Sequence, residues 1–270
     1  MLTLDRVTHT YTTPDGRPYC AIENISLSIA GGAFVAIVGP SGCGKSTLLH
    51  IAAGLLAPAS GLVRVDETPI AGVNRRAAYM FQQDALLPWK TVRENVALGL
   101  VLAGVTSEDA HARANDWLGR VGLTAFASHY PSQLSGGMRK RAAMAQNWIL
   151  DRDIVLMDEP FSALDVHTRQ QMETELLSLW DDTTMRPRRL NKKTVIFVTH
   201  DLEEAIALAD EVVVLSAGPA AHIVAHHQVT LGRPRDLLDL RTDPAFVDMY
   251  RSVWAVLRDE VVKSRGAVRD

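Results

Sequence analysis

Cysteine is scarce: Cys20 and Cys43 are the two cysteines in 270 residues, too few to staple a chain of this size with a disulfide framework. There is no surplus of charge of either sign, because 28 Lys+Arg stand against 31 Asp+Glu for a formal net charge of −3. That balance excludes a protein that holds nucleic acid by bulk charge, which needs a basic excess or stripe, and no nucleic-acid partner is expected. Long apolar runs are missing too. The longest nearly apolar stretch, residues 48–59, is broken by His50 and Pro58 and falls short of the roughly 20 residues that cross a bilayer. Any link to a membrane is therefore expected to pass through a partner. Residues 1–6 lack the charged start and apolar run of a secretory signal, so a reducing cytosol is the expected compartment. What is plentiful, 47% hydrophobic residues against 22% charged, suffices to bury a core and excludes the disordered class.

Short β-branched or apolar runs alternate with stretches of helical period. Strands are expected over 2–7, 34–38, 78–81, 154–157, 195–198 and 212–215, and the central ones are continuously apolar, as suits strands covered on both faces. Helices are expected over 46–56, 166–180 and 202–210. This alternation predicts an α/β fold with a mostly parallel sheet. Residues 91–150 carry Ala- and Leu-rich helical text without a convincing strand, which predicts a helical subdomain inserted in the core. Asp243-Pro244 opens a last helix, with Phe246, Val247, Tyr250, Val253, Trp254, Leu257 and Val261 expected to cover the core.

The strongest chemical signal is Gly39-Pro40-Ser41-Gly42-Cys43-Gly44-Lys45-Ser46-Thr47, which satisfies G-x-x-x-x-G-K-[ST] between a strand and a helix. Glycines let such a loop wrap an anion, and backbone N–H groups with the positive helix end suit phosphate. Lys45 is placed to reach the β and γ phosphates and Ser46 to ligate Mg²⁺, while Cys43 reads as a small filler. A phosphate-handling loop of this type also needs a carboxylate at another strand end, and Asp158-Glu159-Pro160 supplies two. Asp158 is assigned to the metal and Glu159 to the attacking water as general base; taken alone, the pair reads equally as a charged turn. His200, ending the next strand, is a candidate γ-phosphate contact, or a packing residue. Ser135-Gly136-Gly137 entering a helix is a second anion-binding device, or a plain N-cap followed by two glycines.

Gly39 to Thr47, Phe81-Gln82, Leu134 to Met138, Leu156 to Pro160, Ser162 to Asp165 and Thr199 to Asp201 together resemble the ordered motif set of ABC transporter ATPase subunits. The resemblance implies a RecA-like P-loop core with an N-terminal antiparallel β part, a helical subdomain at about 91–150 within an ATPase domain over 1–230, and a C-terminal helical extension over 231–270. It implies two ATP molecules with Mg²⁺ in a head-to-tail dimer of the chain, each between the P-loop of one copy and Ser135-Gly136-Gly137 of the other. By the same matching Tyr11 resembles the aromatic that stacks on adenine, Gln82 the glutamine that senses Mg²⁺ and the water, and Asp165 the residue of the loop joining the two sites.

Met138 and Arg139 to Arg141, the text over 82–96, and Arg233 to Asp236 are similar to the nitrate, sulfonate and taurine importer group. A small anion or sulfonate is the implied solute, with a thiamine-precursor pyrimidine and a regulator without transport as alternatives. The implied partners are two membrane permease subunits docking near Leu86-Leu87-Pro88-Trp89 and, indirectly, a periplasmic or surface solute-binding protein. The chain would then sit peripherally on the cytoplasmic face of the plasma membrane. Two leucines and a tryptophan in one loop are apolar enough for a docking patch, or for packing under the helical subdomain. Residues 181–193, rich in Arg and Lys, read as a solvated basic insertion. His222, His226 and His227 lack a fourth ligand and adjoin a strand-like run, so no zinc site is assigned.

Overall fold

The computed structural model describes residues 1–83, 85–181 and 192–266; most of the basic insertion lies outside them. Two sheets form the frame. The strands β1 (Leu2–Thr12), β2 (Pro18–Ile29), β4 (Ser60–Val65) and β5 (Thr68–Pro69) make an antiparallel sheet in the order β2-β1-β4-β5. The second sheet runs β10-β9-β3-β8-β7-β6, from β3 (Phe34–Val38), β6 (Ala77–Met80), β7 (Ile154–Asp158), β8 (Thr194–Val198), β9 (Glu211–Leu215) and β10 (Ile223–Gln228). Its strands are parallel except for the antiparallel edge strand β10.

All five residues of β3 are buried, and alternate side chains enter different cores. Phe34, Ala36 and Val38 join one cluster with Phe197, Met157 and Val212. Val35 and Ile37 join the other, which also holds Leu48 and Leu49 of α1 (Lys45–Ala52) and Leu2, Leu4 and Ile25 of the antiparallel sheet. Burial on both faces is the reason for the continuous apolar text of these strands.

Between β6 and β7 lie α2 (Val92–Leu102), α3 (Ser107–Arg120) and α4 (Gly136–Trp148). Capping fixes where each begins. Thr91 and Glu94 form a capping box on α2, Thr106 caps α3, and Ser135 caps α4 by accepting from Met138 N–H at 3.3 Å. The remaining helices are α5 (Val166–Asp181), α6 (Leu202–Leu208), α7 (Leu237–Leu240) and α8 (Pro244–Gly266). Among the described residues no helix is long and apolar enough to cross a membrane.

The expected fold class matches this architecture, and three details correct the sequence reading. The first strand runs on to Thr12, and β2, β4 and β5, which complete the antiparallel part implied by the resemblance, carry no apolar run of their own because their polar, half-exposed faces dilute the signal. Leu86 is 8% exposed and packs in the core beneath α2, so only part of the 86–89 loop is available at the surface. Trp254 is 40% exposed; the buried stripe of α8 runs instead through Phe246, Val253, Leu257 and Glu260, at spacings of seven, four and three that stay on one helix face.

Candidate functional site

Parallel strands point their carboxyl ends the same way, and the sheet order β3-β8-β7-β6 sets four loops side by side there. The loop 39–44 leaves β3, Asp158 and Glu159 end β7, Thr199 and His200 follow β8, and Gln82 follows β6. Residues far apart in sequence thereby meet at one edge.

The loop enters α1 at Gly44, whose φ of +93° and close approach to Ile22 leave no room for a side chain: a Cβ there would lie 2.5 Å from Ile22 Cγ2. Among the described residues no side chain caps the first turn of α1, and no acid lies in it, so its N–H groups and positive end are open to an anion. The buried Lys45 ammonium donates to the carbonyls of Gly39 and Pro40, both at 2.9 Å, bracing the loop from within. Cys43 is fully buried beneath the loop, and burial pushes its thiol up from the ordinary value, against the nearby Lys45 charge, so it stays an uncharged filler. Ser41, Gly42 and Ser46 are exposed.

Ser46 Oγ donates to Asp158 Oδ1 at 3.0 Å, and Tyr79 OH donates to Asp158 Oδ2 at 3.3 Å. Burial, reinforced by the Asp158 charge, raises the Tyr79 hydroxyl well above its usual value, so it remains a donor. A hydroxyl and a carboxylate held together beside an anion-binding loop are hard oxygen donors of the kind Mg²⁺ takes. The donor set fits that ion.

Glu159 follows with φ +43°, a left-handed conformation that L side chains adopt at a cost. The turn breaks the strand alternation, and its N–H donates to Val198 O at 3.0 Å. Its carboxylate accepts from Gln82 Nε2 at 2.9 Å and lies 3.5 Å from His200 Nδ1. Gln82 and His200, from two other strand ends, thus converge on one Glu159 oxygen. His200 stands between two anchors: Thr199 Oγ1 accepts from Asp201 N–H and donates to the buried Glu204, while Asp201 caps α6 and pairs with Arg169 at 3.0 Å.

Tyr11 lies at the end of β1, 39% exposed, with its hydroxyl 3.1 Å from Thr47 Oγ1 in the first turn of α1. Ser135 and Gly136 are exposed at the start of α4. Asp165 accepts from the N–H groups of His167 and Thr168 and from the Thr168 hydroxyl, which hold its carboxyl below the usual range, and an Arg141–Glu175 ion pair at 3.1 Å binds α4 to α5. Ser135 and Asp165 therefore ride on two helices joined to each other.

Tyr79 has no counterpart in the sequence reading; its only signal was an aromatic residue in a strand that ends beside the site. The sequence also gives no hint that α8 reaches the P-loop, yet Trp254, Leu257, Val261, Ser264 and Arg265 share with Gly39, Pro40, Ser41 and His200 the lining of a cavity of about 630 Å³. His226, in β10, lies 2.7 Å from Glu211.

Residues 22–162 match the family model described as ABC transporter. The chain is 42% identical over 250 residues to an uncharacterized ABC transporter ATP-binding protein of Methanocaldococcus jannaschii, covering 93% of this chain and 89% of that protein. It is 40% identical over 236 residues to the taurine import ATP-binding protein TauB of Yersinia pestis bv. Antiqua, covering 86% and 88%. The TauB of Burkholderia pseudomallei is 42% identical over 244 residues, covering 89% and 90%. Among solved structures, a dimeric post-hydrolysis state of an ATP-binding cassette bound to ADP and Pi superposes with a TM-score of 0.74 at 32% identity, over 86% of this chain and all of that one. With the P-loop, the carboxylate pair and the inserted helices in one frame, the chain belongs to the ABC transporter family as an ATP-binding, ATP-hydrolysing subunit.

Proposed function

We propose that two copies of this chain bind two MgATP head to tail and drive import of a small sulfonate or related anion, taurine being the first to test, through two membrane permease subunits. The observation that carries the reading is the convergence of Gln82 and His200 on Glu159 beside the Ser46–Asp158 pair, together with a second exposed anion seat at Ser135. Each chain offers one lysine-bearing loop and one Ser-Gly-Gly helix start, so a head-to-tail pair completes two sites.

Lys45 and the first turn of α1 hold the β and γ phosphates; Tyr11 offers its exposed ring to adenine. Ser46 and Asp158, with Gln82, are the residues that hold Mg²⁺, which when bound neutralises charge building on the phosphates. Gln82 orients the attacking water, Glu159 takes its proton, and His200 contacts the γ-phosphate. Ser135, Gly136 and Gly137 of the second copy close on the same phosphate, and Asp165 links the two sites.

Docking on the permease is assigned to the surface around Trp89, which is 70% exposed. Separately, Phe81, Ala85, Leu98 and Leu102 line a groove of about 280 Å³ between β6, α2 and α4, suited to an apolar helix of a partner. The two taurine import relatives support the solute class.

The test is ATP-driven uptake of labelled taurine by proteoliposomes holding the chain, its permease and its solute-binding protein. ATP-dependent accumulation, competed by other sulfonates, is expected. ATP hydrolysis without uptake of sulfonate or nitrate redirects the solute assignment, and failure to co-purify with any membrane protein favours a regulator without transport.

A further inference from the structure

Lys140 belongs to the basic run that follows Ser135-Gly136-Gly137, yet it is 3% exposed. Burying an ammonium is costly unless hydrogen bonds replace its hydration. Its Nζ donates to the backbone carbonyl of Gln82 at 2.6 Å, across 58 positions of sequence, from α4 to the loop that leaves β6. Such a charge-assisted bond is short and strong.

What it holds is the base of a side chain that is itself exposed. The Gln82 amide reaches Glu159 Oε2 at 2.9 Å, and a solvent-exposed glutamine has several rotamers to choose from. Fixing the Gln82 carbonyl fixes the backbone from which that side chain starts, and so narrows where its amide points.

The far end of the same loop reaches the same helix through Asn95 of α2. Gln146 Nε2 of α4 donates to the Asn95 carbonyl at 3.1 Å. The fully buried Asn95 side chain accepts from Leu87 N–H at 2.7 Å and donates to the carbonyls of Leu87 and Lys90 at 3.1 and 3.0 Å. Leu87 and Lys90, on either side of Trp89, are thus tied to Asn95 of α2, whose carbonyl α4 holds through Gln146. Ser135 caps that helix five residues before Lys140, about 7.5 Å along its axis.

We infer that Lys140 is a positioning residue for hydrolysis: by clamping the Gln82 carbonyl it makes the aim of the Gln82 amide at Glu159 depend on where α4 sits, and α4 carries Ser135. Engagement of Ser135 by the phosphate bound to a second copy then bears on the water-handling pair of the chain's own site. The inference rests on the reading of Gln82 and Glu159 given above.

The test is a double-mutant cycle on ATP hydrolysis by the full chain assembled with its permease. Lys140→Met, which keeps the length and loses the donor, is expected to lower kcat about tenfold while the KM for ATP stays within about twofold and the melting temperature stays near the parent's. Lys140→Arg recovers part of the rate. If Lys140 acts through Gln82, the combination of Lys140→Met with Gln82→Ala is no slower than Gln82→Ala alone. Should Lys140→Met melt far below the parent, Lys140→Gln, which retains a neutral donor, replaces it in the cycle. Multiplying defects in the double variant, or a Lys140 effect confined to KM, overturns the inference while leaving the site reading in place. A Gln82→Ala variant with parental kcat overturns the site reading, and the inference with it.

Discussion

The Ser46 hydroxyl donates to Asp158 Oδ1 at 3.0 Å, joining the first turn of α1 to the end of β7 across 112 positions of sequence. The two groups sit where a metal needs hard oxygens beside a phosphate-binding loop, and Tyr79 holds the other Asp158 oxygen at 3.3 Å. Tyr79→Phe removes that second donor without changing the packing of the ring against His50 and Phe81. The expected outcome is a Mg²⁺ requirement for ATP hydrolysis raised several-fold with an unchanged melting temperature. An unchanged Mg²⁺ titration would contradict a role for Tyr79 in holding Asp158.

Lys45→Ala removes the cation that braces the loop through Gly39 and Pro40 and is assigned to the phosphates. Losing two charge-assisted contacts to phosphate costs on the order of 3 kcal/mol, more than about a hundredfold in affinity. Equilibrium binding of a labelled ATP analogue measures it, and near-parental affinity would remove Lys45 from the nucleotide site.

Glu159→Gln keeps the side-chain shape and loses the proton acceptor. Hydrolysis is expected to fall by at least about 100-fold while ATP binding persists, which accumulates an ATP-bound dimer detectable by sedimentation. A variant that hydrolyses at the parental rate would move the base to another group, with His200, 3.5 Å away, the first to examine.

The P-loop and the Asp158-Glu159 pair are legible in the sequence because their chemistry demands contiguous residues of particular type: glycines for a tight loop, one lysine, and acids directly after an apolar strand. Tyr79, Asn95 and Lys140 are not legible. Each is a single polar residue whose partner lies in another element, and no period or spacing marks it. Trp254 and Leu86 show the reverse error. Trp254 is next to Val253 in the chain but about 100° away around the helix, so an apolar pattern that includes both cannot bury both. Leu86 turns into the core while Trp89, three residues on, stays outside.

Trp89→Ala tests the docking surface. The side chain is 70% exposed, so its loss leaves the fold and melting temperature near the parent's. If it anchors the permease, truncation costs about 2 kcal/mol, roughly 30-fold in affinity, read by co-purification or by titration with detergent-solubilised permease. Unaltered association would place the docking contact away from Trp89.

Glu173 provides a pH test. It is fully buried on α5, its Oε1 has no hydrogen-bond partner among the described residues, and burial pushes its carboxyl from 4.5 to about 7, outweighing the nearby Arg241 charge that pulls it down. Between those two values the unfolded chain has released the proton and the folded chain still holds it, so the group's contribution lowers stability as pH rises from about 4.5 to about 7 and is level above that. Glu173→Gln is therefore expected to stabilise by up to about 3 kcal/mol at pH 8 and by less than about 1 kcal/mol at pH 5, read by urea denaturation. Destabilisation at pH 8 would show instead that Glu173 is ionised and paired with Arg241, 3.3 Å away.

The composite site is tested most directly by counting nucleotide trapped with vanadate in a mixed dimer. Lys45→Ala and Ser135→Arg homodimers each have two damaged sites. A mixed dimer of the two variants, isolated through different tags in complex with the permease, collects both lesions in one site and regenerates the other. The intact P-loop of the Ser135→Arg copy there faces the intact α4 start of the Lys45→Ala copy. The expected result is about one trapped nucleotide per mixed complex against almost none in either homodimer. Equal trapping in the Ser135→Arg homodimer, or none in the mixture, would contradict a site shared between two chains.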